Sequence, residues 1–415
     1  MKETIKILLL STYDVGGAGN AFLKTTEMLR SKGVDATLLV CNKKTHSDAV
    51  VGVFNADTVT GSVGMLLYRI YCKIRKFFAF GKADKKYIMS DLQINLISAK
   101  RILFLYGKRP DIIRVGWVTD FVSTKTIKIL HELTNAKINY VMTDNAPMCG
   151  GCHYPWNCQG YMKNCYPCPA LHATNKRAQK TLFFKKKYIT PEMIVSGSTN
   201  DMNRAKKSLL FNDTKRVVSV KMNQNPFCFS KEDGRLFFDI PKDRYVILCG
   251  STSCTSPRKG FKELVKSLDL VRHMIDVSRI IVLIVGDGCG ELPLGYEIKT
   301  LGMLSFENVF RAYACADLFL SPSLEDSGPM MLKYGVMAYV PVVAFEMGYA
   351  IDMISHKENG YIAKWGDVDD FATGIVYCIS HQAQMQTSIK TVTESVAARC
   401  NNRPSVWDIL GITLS

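Results

Sequence analysis

Ten short, continuously apolar runs separated by segments of helix length constrain this chain more than any other feature. They cover residues 5–11, 36–41, 112–118, 139–143 and 193–196, then 217–220, 246–250, 280–285, 318–321 and 342–345. A run that is apolar at consecutive rather than alternate positions suits a strand covered on both faces. Helical periodicity fills the gaps at 23–31, 124–133, 261–272 and 306–315. Strand–helix alternation repeated twice implies an α/β fold of two Rossmann-like, doubly wound parallel sheets. At 415 residues the chain exceeds one ordinary core, which also points to two domains. Residues 223–234, with Pro226 and scattered charges but no period, read as the junction. The expected layout is therefore a first domain over 1–223 and a second over 235–385. A helical tail over 386–415 would have the option of returning to the first.

The composition, 47% hydrophobic and 22% charged, is that of a folded protein. No apolar run reaches the roughly 18 residues that span a bilayer. The opening run, residues 5–10, is too short for a secretion signal and reads as a buried strand. The expected location is cytoplasmic, where scattered thiols stay reduced. Fifty-three basic against 37 acidic residues leave a formal charge of +16. That excess suits nucleic acid, anionic lipid or phosphorylated small molecules, and equally plain solubility.

Residues 63–82 differ in character. On a helical wheel Leu66, Leu67, Ile70, Tyr71, Ile74, Phe77 and Phe78 share one face, while Arg69, Lys73 and Lys76 share the other. Such a basic amphipathic helix suits an anionic membrane surface on the inner face of the cell membrane. The competing reading packs the apolar face on the protein core.

Three strand-to-helix loops suit a phosphorylated sugar ligand. Gly16 and Gly17 lie between the first strand and its helix, where backbone and free N–H groups come close to an anion. In the loop from Gly250 to Gly260, Arg258 and Lys259 stand together at a helix start and can neutralise a diphosphate. The third runs through Glu325, Asp326, Ser327, Gly328, Pro329 and Met330; an acid there can accept sugar hydroxyls, or simply cap the helix.

Together these segments resemble the retaining glycosyltransferases of family 4. The second half carries Pro257-Arg-Lys-Gly-Phe261, Ile284-Val-Gly286-Asp-Gly288, Tyr313-Ala-Cys-Ala-Asp317, Glu325-Asp-Ser-Gly328 and Pro341-Val-Val-Ala-Phe345. In the first half, Cys149-Gly-Gly-Cys-His-Tyr154 through Cys165-Tyr-Pro-Cys168 looks like the cysteine-bearing subset that makes bacterial surface polysaccharides. The resemblance implies a GT-B fold, two domains facing a cleft, and transfer from a nucleotide-sugar donor to a glycan or lipid-linked acceptor. It implies Arg258 and Lys259 on the diphosphate, Glu325 or Asp326 on the donor sugar, and donor contacts from Gly16, Gly17, Gly250 and Gly286. No divalent ion is required for catalysis in that family. Two departures stand out. The family's ribose-binding acid falls on Tyr334 or Lys333, and its His-Asp pair on Thr143-Asp144, leaving Asp144 as the expected catalytic contact there. The missing acid motivates a second reading, a non-catalytic nucleotide-sugar or glycan binder.

Five of the 14 cysteines lie within 149–168. Cys152, Cys158, Cys165 and Cys168 could hold a structural zinc, with Cys149 or His153 as spares; reduced or redox-linked thiols are the alternative. A zinc-containing nucleic-acid protein is disfavoured, because the cations are dispersed, and no nucleic-acid partner is expected. Asp367-Val-Asp369-Asp370 reads as a helix cap.

Overall fold

In this computed structural model residues 4–411 are described except 56, 57, 223, 224, 252 and 289. The chain forms β1 (Lys6–Tyr13), α1 (Gly16–Ser31), β2 (Asp35–Lys43), β3 (Val50–Asn55), α2 (Val59–Phe80), α3 (Ala99–Tyr106), β4 (Ile112–Val115), α4 (Thr124–Thr134), β5 (Lys137–Val141), α5 (Arg177–Lys186), β6 (Ile194–Gly197), α6 (Thr199–Lys207) and β7 (Lys215–Val218). There follow α7 (Lys231–Phe237), β8 (Tyr245–Ser251), α8 (Phe261–Met274), β9 (Ile280–Gly286), β10 (Glu297–Gly302), α9 (Phe306–Cys315), β11 (Leu318–Ser321) and α10 (Met330–Met337). The last elements are β12 (Val342–Phe345), α11 (Ala350–Met353), β13 (Gly360–Ala363), α12 (Val368–Ser380), α13 (Gln382–Asn401) and α14 (Val406–Leu410).

Two parallel sheets result, ordered β3-β2-β1-β4-β5-β6-β7 and β10-β9-β8-β11-β12-β13. Both have a doubly wound switch point, β1 beside β4 and β8 beside β11, where loops leaving adjacent strands diverge and open a ligand crevice. The central strands are as dry as their sequences require: Ile7 to Leu10 and Val246 to Cys249 have no solvent exposure.

The expected strands at 36–41, 280–285 and 342–345 are all present with small shifts of their ends, but two further ones, β3 and β10, were not legible. Both are edge strands. β10 reads Glu-Ile-Lys-Thr-Leu-Gly and is mostly exposed, so it lacks the apolar run that marks its neighbours. The run at 217–220 does not open the second sheet; as β7 it closes the first by pairing with β6.

The chain divides into two units: 1–197, 201–219 and 404–415 in the first, and 198–200 with 220–403 in the second. The boundary at 219–220 lies just ahead of the expected junction, of which residues 223 and 224 fall outside the described residues. The tail expected over 386–415 is split. α13 belongs to the second unit and buries Met385, Ile389, Val396 and Cys400 there. α14 completes the first unit, where Val406, Trp407 and Leu410 join the core around Ile7, Leu9 and Phe22. Lys137 Nζ donates to the Leu410 carbonyl at 2.8 Å, and the Arg114 guanidinium lies 4.7 Å from the Trp407 ring centre.

Candidate active site

In the second unit the switch point holds a compact charge cluster. β8 leads into a 3-10 turn, Pro257–Lys259, and Gly260 follows in a left-handed conformation (φ 69°) before α8. A Cβ at Gly260 would stand 1.8 Å from the Pro322 carbonyl oxygen, so only glycine lets this turn sit against the loop after β11. The Arg258 carbonyl accepts the Leu324 N–H at 2.8 Å and the Glu325 N–H at 3.2 Å, lacing the two loops together. Across that seam Arg258 Nη1 and Lys259 Nζ both donate to Asp326 Oδ2, at 2.9 and 2.6 Å. The second oxygen of Asp326 accepts the Gly328 N–H at 3.2 Å. Burial pushes the Asp326 carboxyl up, but Lys259 and Arg258 outweigh it and hold the group below the ordinary carboxylate range.

The structure separates the two acids that the sequence left equivalent. Asp326 meets both cations through its carboxylate, while Glu325, 1% exposed, donates its backbone N–H to the Arg258 carbonyl. Ser327 is buried beside it, Pro329 caps α10, and Met330 opens that helix in an exposed position. Gly250 and Gly286 have a packing reason of their own. A Cβ on Gly250 would stand 1.9 Å from the Val285 carbonyl oxygen, and one on Gly286 would stand 1.7 Å from that of Ser251. They let the ends of β8 and β9 run side by side. Of the two positions on which the resembled family's second acid falls, Tyr334 packs its ring on Phe306 and Phe310, with centroids 5.5 and 5.3 Å away. Lys333 donates to the Lys221 carbonyl at 2.7 Å. Asp367 accepts the Asp370 N–H at 3.0 Å as the cap of α12.

In the first unit Gly16 and Gly17 open α1, with no heavy atom within 4 Å of where either Cβ would stand. Asp144, the expected catalytic contact, is 4% exposed, and each of its oxygens has a partner within the protein. Oδ1 accepts the Ala146 N–H at 2.8 Å and Oδ2 lies 2.6 Å from His153 Nδ1. His153, a spare zinc ligand in the sequence reading, has its other nitrogen 2.6 Å from Ser90 Oγ. The Asp144 contact is shorter than the 3.3 Å from Trp117 Nε1, so Nδ1 carries the proton. Burial opposes a charge on this ring, but the Asp144 and Asp91 carboxylates raise its pKa above the usual histidine value.

Lys185 gave no signal in the sequence, where it begins a Lys-Lys-Lys run. It is fully buried, and its three ammonium protons meet Asp91 Oδ2 at 2.6 Å, the Ala146 carbonyl at 2.6 Å and the Cys149 carbonyl at 2.8 Å. This clamp shapes the loop that bears Asp144, His153 and the cysteines. Cys149, Cys152, Cys158, Cys165 and Cys168 line one small cavity. Burial pushes the Cys165 thiol up to about 12 and Cys168 up to about 11. Among the described residues no three Cys, His, Asp or Glu side chains stand in a metal-holding arrangement.

α2 settles the choice between the core and an outward apolar face. Met65, Tyr68 and Cys72 pack inward, and Lys76 turns inward to pair with Asp120 instead of joining the cationic side. Leu66, Leu67, Ile70, Tyr71, Ile74, Phe77 and Phe78 are all exposed, Phe78 at 80%. Arg69 and Lys73 are exposed as well. No described helix is long and apolar enough to cross a membrane.

Residues 243–381, which include the Arg258–Lys259–Asp326 cluster, match the family model of the glycosyl transferases group 1. No curated protein matches the sequence. Solved structures do. A sucrose-phosphate synthase from Thermosynechococcus elongatus is 14% identical, covers 98% of this chain and 96% of its own, and superposes with a TM-score of 0.62. HepE of Anabaena, solved with UDP, is 16% identical over 98% of each chain at 0.57. WaaG, a glycosyltransferase involved in lipopolysaccharide biosynthesis, is 11% identical over 95% of this chain and all of its own at 0.53. At such identities the likeness is one of fold, and the fold is GT-B. Residues 243–381 thus carry a group 1 glycosyl transferase domain, the mark of a transferase enzyme.

Replacing Lys185 with Met should cost about 3–5 kcal/mol, because Asp91 is left buried without its counter-charge, keeping only hydrogen bonds from Gln93. Urea unfolding of the variant measures it; a loss under 1 kcal/mol would show that the clamp is dispensable.

Proposed function

We propose that the protein moves a sugar from a nucleotide-sugar donor to a glycan or lipid-linked acceptor during surface-polysaccharide assembly, with retention at the anomeric carbon. The cysteine-bearing subset of family 4 is the assignment that goes with this reading. The observation that carries it is the pairing of Arg258 and Lys259 at the switch point of the second unit, on loops laced by backbone hydrogen bonds. Two cations held there neutralise a diphosphate and stabilise the charge that grows on it as the glycosidic bond breaks. The free N–H groups at the start of α10 add to the same field. HepE was solved with UDP and with UDP-glucose, which makes a uridine-diphosphate sugar the first donor to test.

In the first unit Asp144 holds His153 in one tautomer and orientation, and the Lys185 clamp holds the loop that carries both. A structural zinc on Cys152, Cys158, Cys165 and Cys168 would close the same loop. The cavity these four residues line has the donor chemistry for it. The ion would organise the loop and take no part in transfer.

The apolar stripe of α2 suits insertion into an anionic membrane, with Arg69 and Lys73 at the headgroup level. A peripheral site on the cytoplasmic face of the cell membrane follows, where lipid-linked acceptors are at hand. The non-catalytic reading keeps one observation in its favour: Tyr334 faces Phe306 and Phe310, and no carboxylate stands at that position for a ribose. Turnover of donor with a membrane-extracted acceptor decides between the two, since a binder alone would release no nucleotide.

Three measurements bear on this reading. Arg258→Ala with Lys259→Ala should weaken UDP binding by calorimetry at least about a hundredfold, given two lost charge-assisted contacts; unchanged affinity would refute the donor site. Phe77→Ser with Phe78→Ser should release the protein from phosphatidylglycerol vesicles in co-sedimentation, whereas full retention would remove α2 from the membrane contact. Elemental analysis should find one zinc per chain, and metal-free protein of undiminished thermal stability would dispose of the zinc.

A further inference from the structure

Resting on the donor site proposed above, we propose that Asp326 is a built-in counter-anion that occupies the phosphate-binding cations until a diphosphate displaces it. One oxygen, Oδ2, takes Nη1 of Arg258 and Nζ of Lys259 together, at 2.9 and 2.6 Å, as a phosphate oxygen would. The three side chains are 15–23% exposed, so the pairing is sheltered but open to an incoming ligand. Its backbone is well braced: the Asp326 N–H lies 3.2 Å from Met347 Sδ, and Oδ1 accepts the Gly328 N–H. The carboxylate is therefore held at the cations and does not merely drift near them.

Asp326 brings one negative charge to these cations, and a diphosphate brings more. Exchange is therefore favourable, but the donor must first break two short charge-assisted contacts. The device has two consequences. It keeps adjacent cations from repelling each other in the unliganded protein, and it lowers affinity for stray single-charged anions. Once displaced, the carboxylate lies beside the bound diphosphate with an acceptor oxygen free for the hydroxyls of the attached sugar. Sugar-bearing donors would then regain what the bare nucleotide loses, so the exchange selects for a complete donor.

Calorimetry of full-length protein with UDP and with inorganic pyrophosphate tests the idea. Asp326→Asn should bind both about tenfold more tightly than the parent, one lost competing contact being worth about that factor. Its melting temperature without ligand should fall, while the rise produced by UDP should grow. Affinity that is equal or weaker in Asp326→Asn would overturn the counter-anion role, as would a smaller UDP-induced rise. If Asp326→Asn does not fold, Asp326→Ser answers the same question by the same two readouts. Failure of UDP and pyrophosphate to bind even the parent protein would overturn the donor site itself, an outcome distinct from tight parental binding that the variant leaves unchanged.

Discussion

A parallel strand covered on both faces can carry polar chemistry only at its ends. That constraint organises both units. With Ile7 to Leu10 and Val246 to Cys249 sealed from water, every charged group with a chemical role lies in a loop leaving a strand. Where β8 and β11 part, the loops carry Arg258, Lys259 and Asp326. Where β4 and β5 end, they carry Trp117, Asp144 and His153. The sheets fix where such side chains can stand, and the loops choose which ones do.

The loops need their own support, and it comes from buried polar groups. Lys185 spends all three donors on Asp91 and two carbonyls of the segment ahead of Cys152. In the second unit Asp317, 5% exposed, receives Arg235 Nη2 at 3.1 Å, the Val246 N–H at 2.8 Å and Gln382 Nε2 at 3.0 Å, with Lys231 as a further partner. Asp352 likewise takes Arg403 Nη1 at 2.6 Å and the Thr199 N–H at 3.0 Å. Each is a buried charge made tolerable by complete pairing, and each joins segments distant in sequence. Removal of any partner would leave a charge with no water to receive it.

α2 obeys a different logic. Its inward line is narrow, Met65, Tyr68 and Cys72, with Lys76 closing on Asp120, so most of its apolar surface remains outside the core. An isolated apolar side chain on a surface is ordinary; a stripe of seven on one helix is not. The wheel pattern alone showed an amphipathic helix but could not tell which side faced inward, because both a core and a membrane accept the same periodicity.

Much of the architecture was legible in the residues themselves. Continuous apolar runs marked the central strands, and glycine-bearing loops marked the strand ends, because burial on two faces leaves a compositional trace. Edge strands such as β10 left none, since half their surface meets water. The adjacency of Arg258 and Lys259 was visible as a sequence pair. That Asp326 closes on them depends on how loops 67 and 68 residues apart are laced. The same holds for Asp144, which pairs with His153, and for Lys185, the first of three successive lysines and the partner of Asp91. Local order and binary pattern are written in the chain because they depend on neighbours. The pairing of buried charges is decided only by the tertiary structure, because the electrostatic partner of each is chosen by distance in space and by the exclusion of water.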